Sequence, residues 1–145
     1  MQNTNSENPK VGKAFQEEVC QRLSEQFNVP LQLEKAIPIG NPPKSHRFDC
    51  ASADSSIVVE CKCYTWTDSG NIPSAKMMGL NEAVFYMSYL PAETRKIIAM
   101  KKAQFPGRRE TFAEYYVRIN GHLLSGIEIL EVSPEEIRLV HSSQT

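Results

Sequence analysis

Asp49, Glu60 and Lys62 are the residues of this chain whose types and spacing suit chemistry. Asp49 ends Arg47-Phe48-Asp49, and the other two lie in Val58-Val59-Glu60-Cys61-Lys62. Both stretches read as strands, along which side chains alternate between faces. Glu60 and Lys62 should then point one way, and Val59, Cys61 and Cys63 the other. The polar link 52–56 is short enough for an antiparallel hairpin. If that hairpin is centred between Asp54 and Ser55, Asp49 falls opposite Glu60, and opposed residues share a face. Two carboxylates and an ammonium are therefore expected together on one sheet face.

Ionised groups are costly to bury without partners. Two adjacent carboxylates repel, which raises a pKa or recruits a cation. Mg²⁺ suits such a pair, because it takes carboxylate oxygens and keeps several waters; the Cys61 carbonyl would add one more oxygen. This set of groups matches the needs of phosphodiester hydrolysis: a metal to polarise the phosphoryl oxygen and acidify water, and a cation near the developing charge. Lys62 would orient or deprotonate the water, or stabilise the pentavalent phosphorus. The plain alternative is a structural ion-pair network.

The elements that must position these residues follow from pattern. Val11, Phe15, Val19, Leu23 and Phe27 recur every four residues and predict an amphipathic helix over 9–27. Strands are expected over 31–39, 46–51 and 57–64, with a break at Gly40, Asn41, Pro42 and Pro43. After a polar loop over 65–73, Ser74 is expected to cap a helix reaching about Leu90, with Met77, Met78, Val84, Phe85 and Met87 among its apolar residues. A buried strand over 96–100, a helix over 110–120, a strand over 126–132, and a turn of helix with an edge strand over 134–140 complete the chain. The expected class is α/β: three layers, α/β/α, around a central mixed sheet.

Asp49 followed by Glu60-Cys61-Lys62 resembles the core motif of the PD-(D/E)xK nuclease superfamily, which includes restriction endonucleases, Holliday junction resolvases and many repair nucleases. The core of that superfamily runs helix, three strands, helix, strand, the order read here over 9–100. The resemblance implies a restriction endonuclease-like fold, Mg²⁺ as cofactor with Mn²⁺ as a substitute, and DNA as substrate, RNA being a weaker option. It implies that Asp49 and Glu60 bind the metal and that Lys62 is catalytic. Phe48 stands where the motif has Pro. The superfamily often adds a Glu from the first helix, just after an aromatic residue. Here Gln16 follows Phe15, within the apolar stripe, while Glu17 points away from it and Glu18 sits at its margin. Gln16 can hold a metal-bound water and brings no charge. A catalytically inactive module that binds nucleic acid or a partner protein is the alternative reading. A lone nuclease domain often needs a second copy to cut both strands, so a homodimer is expected.

Tyr64 and Trp66 leave the catalytic strand and are candidates to stack on a base, or to cover the core. Lys76 is a candidate to face substrate from the second helix. Arg95, Lys96, Lys101, Lys102, Arg108 and Arg109 would make a basic stripe, or simply a solvated surface. His46 reads as a surface residue near the rim of the site. Cys61-x-Cys63 lacks a second pair and reads as packing rather than a zinc site.

The sequence has 145 residues, with 41% hydrophobic and 23% charged. This is an ordinary balance for one domain, expected over 9–145, after a disordered tail over 1–8. The net charge of −1 argues against a protein that coats nucleic acid non-specifically. No apolar run is long enough to span a bilayer. Cys20, Cys50, Cys61 and Cys63 read as free thiols of a reducing compartment, so the cytoplasm is expected.

Overall fold

The computed structural model describes residues 8–142. The expected tail lies outside them, except for Asn8, where the first helix begins. The order is α1 (Asn8–Phe27), β1 (Leu31–Ile39), β2 (Lys44–Ser52), β3 (Ile57–Lys62), α2 (Ser74–Met87), β4 (Arg95–Lys101), α3 (Phe112–Asn120), a 3₁₀ turn (Gly121–Leu123), β5 (Ile127–Val132) and β6 (Ile137–His141). The six strands form one sheet in sequential order. The β1–β2, β2–β3 and β5–β6 pairs are antiparallel. The β3–β4 and β4–β5 pairs are parallel and need the helical crossovers α2 and α3.

The sheet is mixed, with helices on both faces. On one face Val19, Cys20 and Leu23 of α1 pack against Cys50, Val59, Ile97 and Ala99. On the other, Leu80, Ala83 and Met87 of α2 and Phe112, Ala113 and Tyr116 of α3 cover Phe48, Val58, Ile98 and Met100. No helix among the described residues is long and apolar enough to cross a membrane.

Several boundaries differ from expectation for local reasons. The α2 N-cap position is Pro73, and Ser74 is the first helical residue rather than the cap. The buried stripe of α2 is Leu80, Ala83 and Met87, whereas Met78 is 71% and Phe85 59% exposed. The third helix starts at Phe112 because Thr111 and Glu114 form a capping box, each accepting the other's backbone N–H. No helical turn precedes β6; Ser133 and Glu136 close a hydrogen-bonded turn there instead.

One irregularity matters for the site. In β2, Phe48 packs toward α2 and α3, yet Cys50, two residues on, packs toward α1. In β1, Leu31 lies on the α1 side and Ile37 on the other. Regular strands would keep each pair on one face. The switch falls between Leu33↔Cys50 and Lys35↔Phe48, at Glu34 and Asp49. Glu34 has φ +52°, a left-handed conformation rare in non-glycine residues, and it absorbs the reversal.

Candidate active site

The β2–β3 ladder pairs Ala51 with Val58 and Cys50 with Val59, which sets Asp49 opposite Glu60 as the hairpin count predicts. No ladder pair is formed there. The strands are bridged by side chains instead. Glu60 Oε1 accepts the Asp49 backbone N–H at 3.0 Å, and Asp49 Oδ2 accepts the Cys61 N–H at 2.7 Å. Each carboxylate is thus fixed by an amide of the facing strand. Gln16 reaches over from α1 and donates its Nε2 to the Asp49 carbonyl at 3.1 Å. Gln16 is therefore the α1 residue at the site. Glu17 and Glu18 are exposed, and Glu18 pairs with Arg22.

Burial raises the Asp49 carboxyl above its ordinary range, against the opposing pull of the Cys61 N–H and of Lys62. Burial, together with the neighbouring Asp49 charge, pushes Glu60 from 4.5 up to about 7, and Lys62 again pulls the other way. Glu60 is only 9% exposed. Each acid thus resists ionising, and the Lys62 ammonium is near enough to act on both.

Two acidic neighbours that the motif does not include also act on the pair. Glu34 raises Asp49, and Glu82 of α2 raises Glu60. Glu34 could have been found from the sequence. The turn after β1 pairs Ile39 with Lys44, and counting back along that register sets Glu34 against Asp49.

Set against family models, curated proteins and solved structures, the chain matches none of them. Among the described residues no three His, Cys, Asp or Glu side chains gather as a metal cage. The donors on offer are two carboxylates whose protonation is raised by burial and by neighbouring acidic charge, Glu34 beside Asp49 and Asp49 beside Glu60. A hard divalent cation fits such a pair, because it would relieve the repulsion while backbone carbonyl and water complete its shell. All four cysteines are free thiols. Cys20, Cys50 and Cys61 pack on the α1 face, as expected of packing residues.

The structure sorts the remaining candidates. Tyr64 lies close to the site, with the ammonium groups of Lys62 and Lys76 at 5.6 and 5.8 Å from its ring centre. Trp66 is not available to stack on a base. It is 4% exposed, its indole N–H donates to the Ala103 carbonyl at 3.1 Å, and its ring packs on Phe112 and Tyr115. Arg108 lies 4.0 Å over that ring and donates twice to the Gly70 carbonyl, pinning the loop between β3 and α2. Trp66→Ala should therefore cost about 3–5 kcal/mol of stability in denaturant unfolding.

His46, expected at the surface, is half-buried: it stacks on Tyr86 at 4.0 Å and meets Phe48 edge-on. The six basic residues do not form one stripe. Arg95 pairs with Glu128 at the start of β4, Lys96 is buried and donates to the Pro91 carbonyl, and Lys101 lies at the far end of the same strand.

Proposed function

We propose that this chain is a Mg²⁺-dependent deoxyribonuclease of the PD-(D/E)xK kind, which hydrolyses phosphodiester bonds by attack of water. The observation that carries the reading is the carboxylate bridge. Asp49 and Glu60 replace a ladder pair, each held by the opposite strand's amide, with Lys62 beside them. A structural ion pair would neutralise its acids by direct contact. Here no basic side chain among the described residues forms an ion pair with either one.

Asp49, Glu60 and the Cys61 carbonyl would hold the cation, which supplies Lewis acidity toward the phosphoryl oxygen and acidifies the attacking water. Lys62 offers its ammonium to the charge that builds on phosphorus. Gln16 positions Asp49 through its backbone. A cytoplasmic location and assembly as a homodimer belong to the same reading. The dimer is supported by Met78 and Phe85, exposed seven residues apart on one side of α2; light scattering that finds only monomer at high concentration would remove it.

The test is incubation of the purified chain with plasmid, linear duplex, branched and single-stranded DNA, with Mg²⁺ or Mn²⁺. Ion-dependent cleavage of at least one substrate is expected. Cleavage of none, or cleavage that survives Lys62→Ala, overturns the reading. The Gln16 bond to a backbone carbonyl favours a second reading, a module that binds nucleic acid or a partner protein without cutting. Calorimetry with Mn²⁺ separates the two, because only the nuclease needs a metal affinity that Asp49→Ala abolishes.

A further inference from the structure

Beside the acids, a cleft of about 350 Å³ opens along Cys61, Lys62, Cys63, Tyr64, Lys76 and Lys101. Three ammonium groups from three elements border it: the last residue of β3, the first turn of α2 and the last residue of β4. The parallel register pairs Lys62 with Met100, so the next step along both strands sets Lys101 beside Cys63. Burial raises the Cys63 thiol, and both Lys101 and Lys76 oppose that rise, so both charges are close to it. Lys62 and Lys76 flank the Tyr64 ring. That ring fits because α2 has Gly79 beneath it: a Cβ there would lie 2.8 Å from the Tyr64 hydroxyl.

The lysines of this protein that serve structure donate to carbonyls: Lys35 to Ser52, and Lys96 to Pro91. The ammonium groups of Lys76 and Lys101 make no ion pair or hydrogen bond among the described residues. Three like charges converging on one cleft repel one another. An anion in the cleft removes that cost.

We propose that this cleft is a second anion subsite, which takes the phosphate adjacent to the scissile one. Lys76 and Lys101 are its binding residues, and Tyr64, seated on Gly79, is the spacer that holds Lys62 and Lys76 apart. This rests on the nuclease reading, since it is the shared wall at Cys61 and Lys62 that makes the two sites neighbours. A phosphodiester strand carries a charge at every nucleotide, so it fills both sites at once, while an isolated mononucleotide fills one. Tyr64 is then a partner of ammonium groups rather than a platform for a base.

The experiment is fluorescence anisotropy of a labelled 12-nucleotide single strand and a labelled 12-base-pair duplex, in EDTA, over a series of salt concentrations. Both lysines are exposed, so substitution should leave the fold intact, as checked by thermal melting. Lys76→Met and Lys101→Met should each lower the slope of log affinity against log salt by about 0.7 to 0.9, and the double variant by about twice that. Lys101→Arg should restore the slope. In cleavage assays the same variants should raise KM and leave kcat within about twofold. A double variant that keeps the wild-type slope overturns the subsite, and so does a wild type that binds neither probe. If the slope falls as expected but the wild type cuts no substrate, the nuclease reading fails and the cleft stands only as a site for backbone phosphate. If the wild type cuts but the slope is unmoved, the subsite fails and the nuclease reading stands.

Discussion

Lys62→Met is expected to slow DNA cleavage by about 10²–10³-fold while the protein still binds Mn²⁺. The expectation follows from what Lys62 touches. It forms no ion pair with Asp49 or Glu60 among the described residues, yet its charge pulls both acids toward ionisation. On the nuclease reading it would contribute twice: it would stabilise the ionised carboxylates proposed to hold the cation, and it would offer its charge to the phosphate on which negative charge builds. The two contributions respond differently to pH. Without the ammonium, both carboxyls rise further, so metal affinity near pH 7 should fall. Well above pH 7 the carboxyls ionise regardless, and that loss should disappear. The loss of transition-state stabilisation should not. Single-turnover cleavage at a fixed sub-saturating Mn²⁺ concentration, repeated at rising pH, separates them. If the variant recovers to within tenfold of wild type at high pH, Lys62 is only a carboxylate partner and the catalytic assignment is lost.

The parts of this site legible in the sequence are those fixed by local pattern. The Asp49–Glu60 register follows from a short polar link between two strands, and Cys50↔Val59 continues that count. The first helix is read from a four-residue apolar period. Even so, only its middle is deeply buried: Val19 and Leu23 are fully covered, whereas Val11 remains exposed beside the cleft. The Thr111–Glu114 capping box is also written in the sequence, and it fixes the start of α3 two residues later than the apolar spacing suggests.

What local pattern does not reveal depends on distant partners. The left-handed Glu34 has no propensity to announce it; the reversal of faces in two paired strands imposes it, and with it the gap into which the carboxylates turn. Trp66 looks like a loop aromatic until the Ala103 carbonyl, 37 residues away, takes its indole N–H. Lys101 meets the site only because β4 lies parallel to β3 through a helical crossover. In α2 Met78 and Phe85 face outward, and Leu80, Ala83 and Met87 face the sheet. Composition does not separate the two sets; the crossover geometry does.

Glu60→Gln should abolish cleavage and at the same time make the metal-free protein more stable above pH 7. The glutamine keeps an oxygen for the Asp49 N–H, which Glu60 Oε1 accepts at 3.0 Å, but it carries no charge to bury or to repel Asp49. In the folded protein Glu60 is raised from 4.5 to about 7. The native state therefore binds more protons than the unfolded chain between those values, and stability falls as pH climbs through that window. Below it the carboxyl is protonated in both states, and wild type and variant should be alike. Above it the wild type bears the full cost of a buried charge, up to about 3 kcal/mol at 1.36 kcal/mol per pKa unit. The variant should then melt several degrees higher. Asp49, also raised, shifts with the same sign. Mg²⁺ should reverse the order, because binding to the folded state alone raises stability and only the wild type offers both carboxylates. Thermal melts of both proteins across pH, with EDTA and with Mg²⁺, read all of this together. If Mg²⁺ lifts both melting points equally, Glu60 is no metal ligand. If the variant is the less stable protein at every pH, the cost assigned to the buried carboxylate pair is wrong, and with it the argument that these acids are kept for chemistry rather than for the fold.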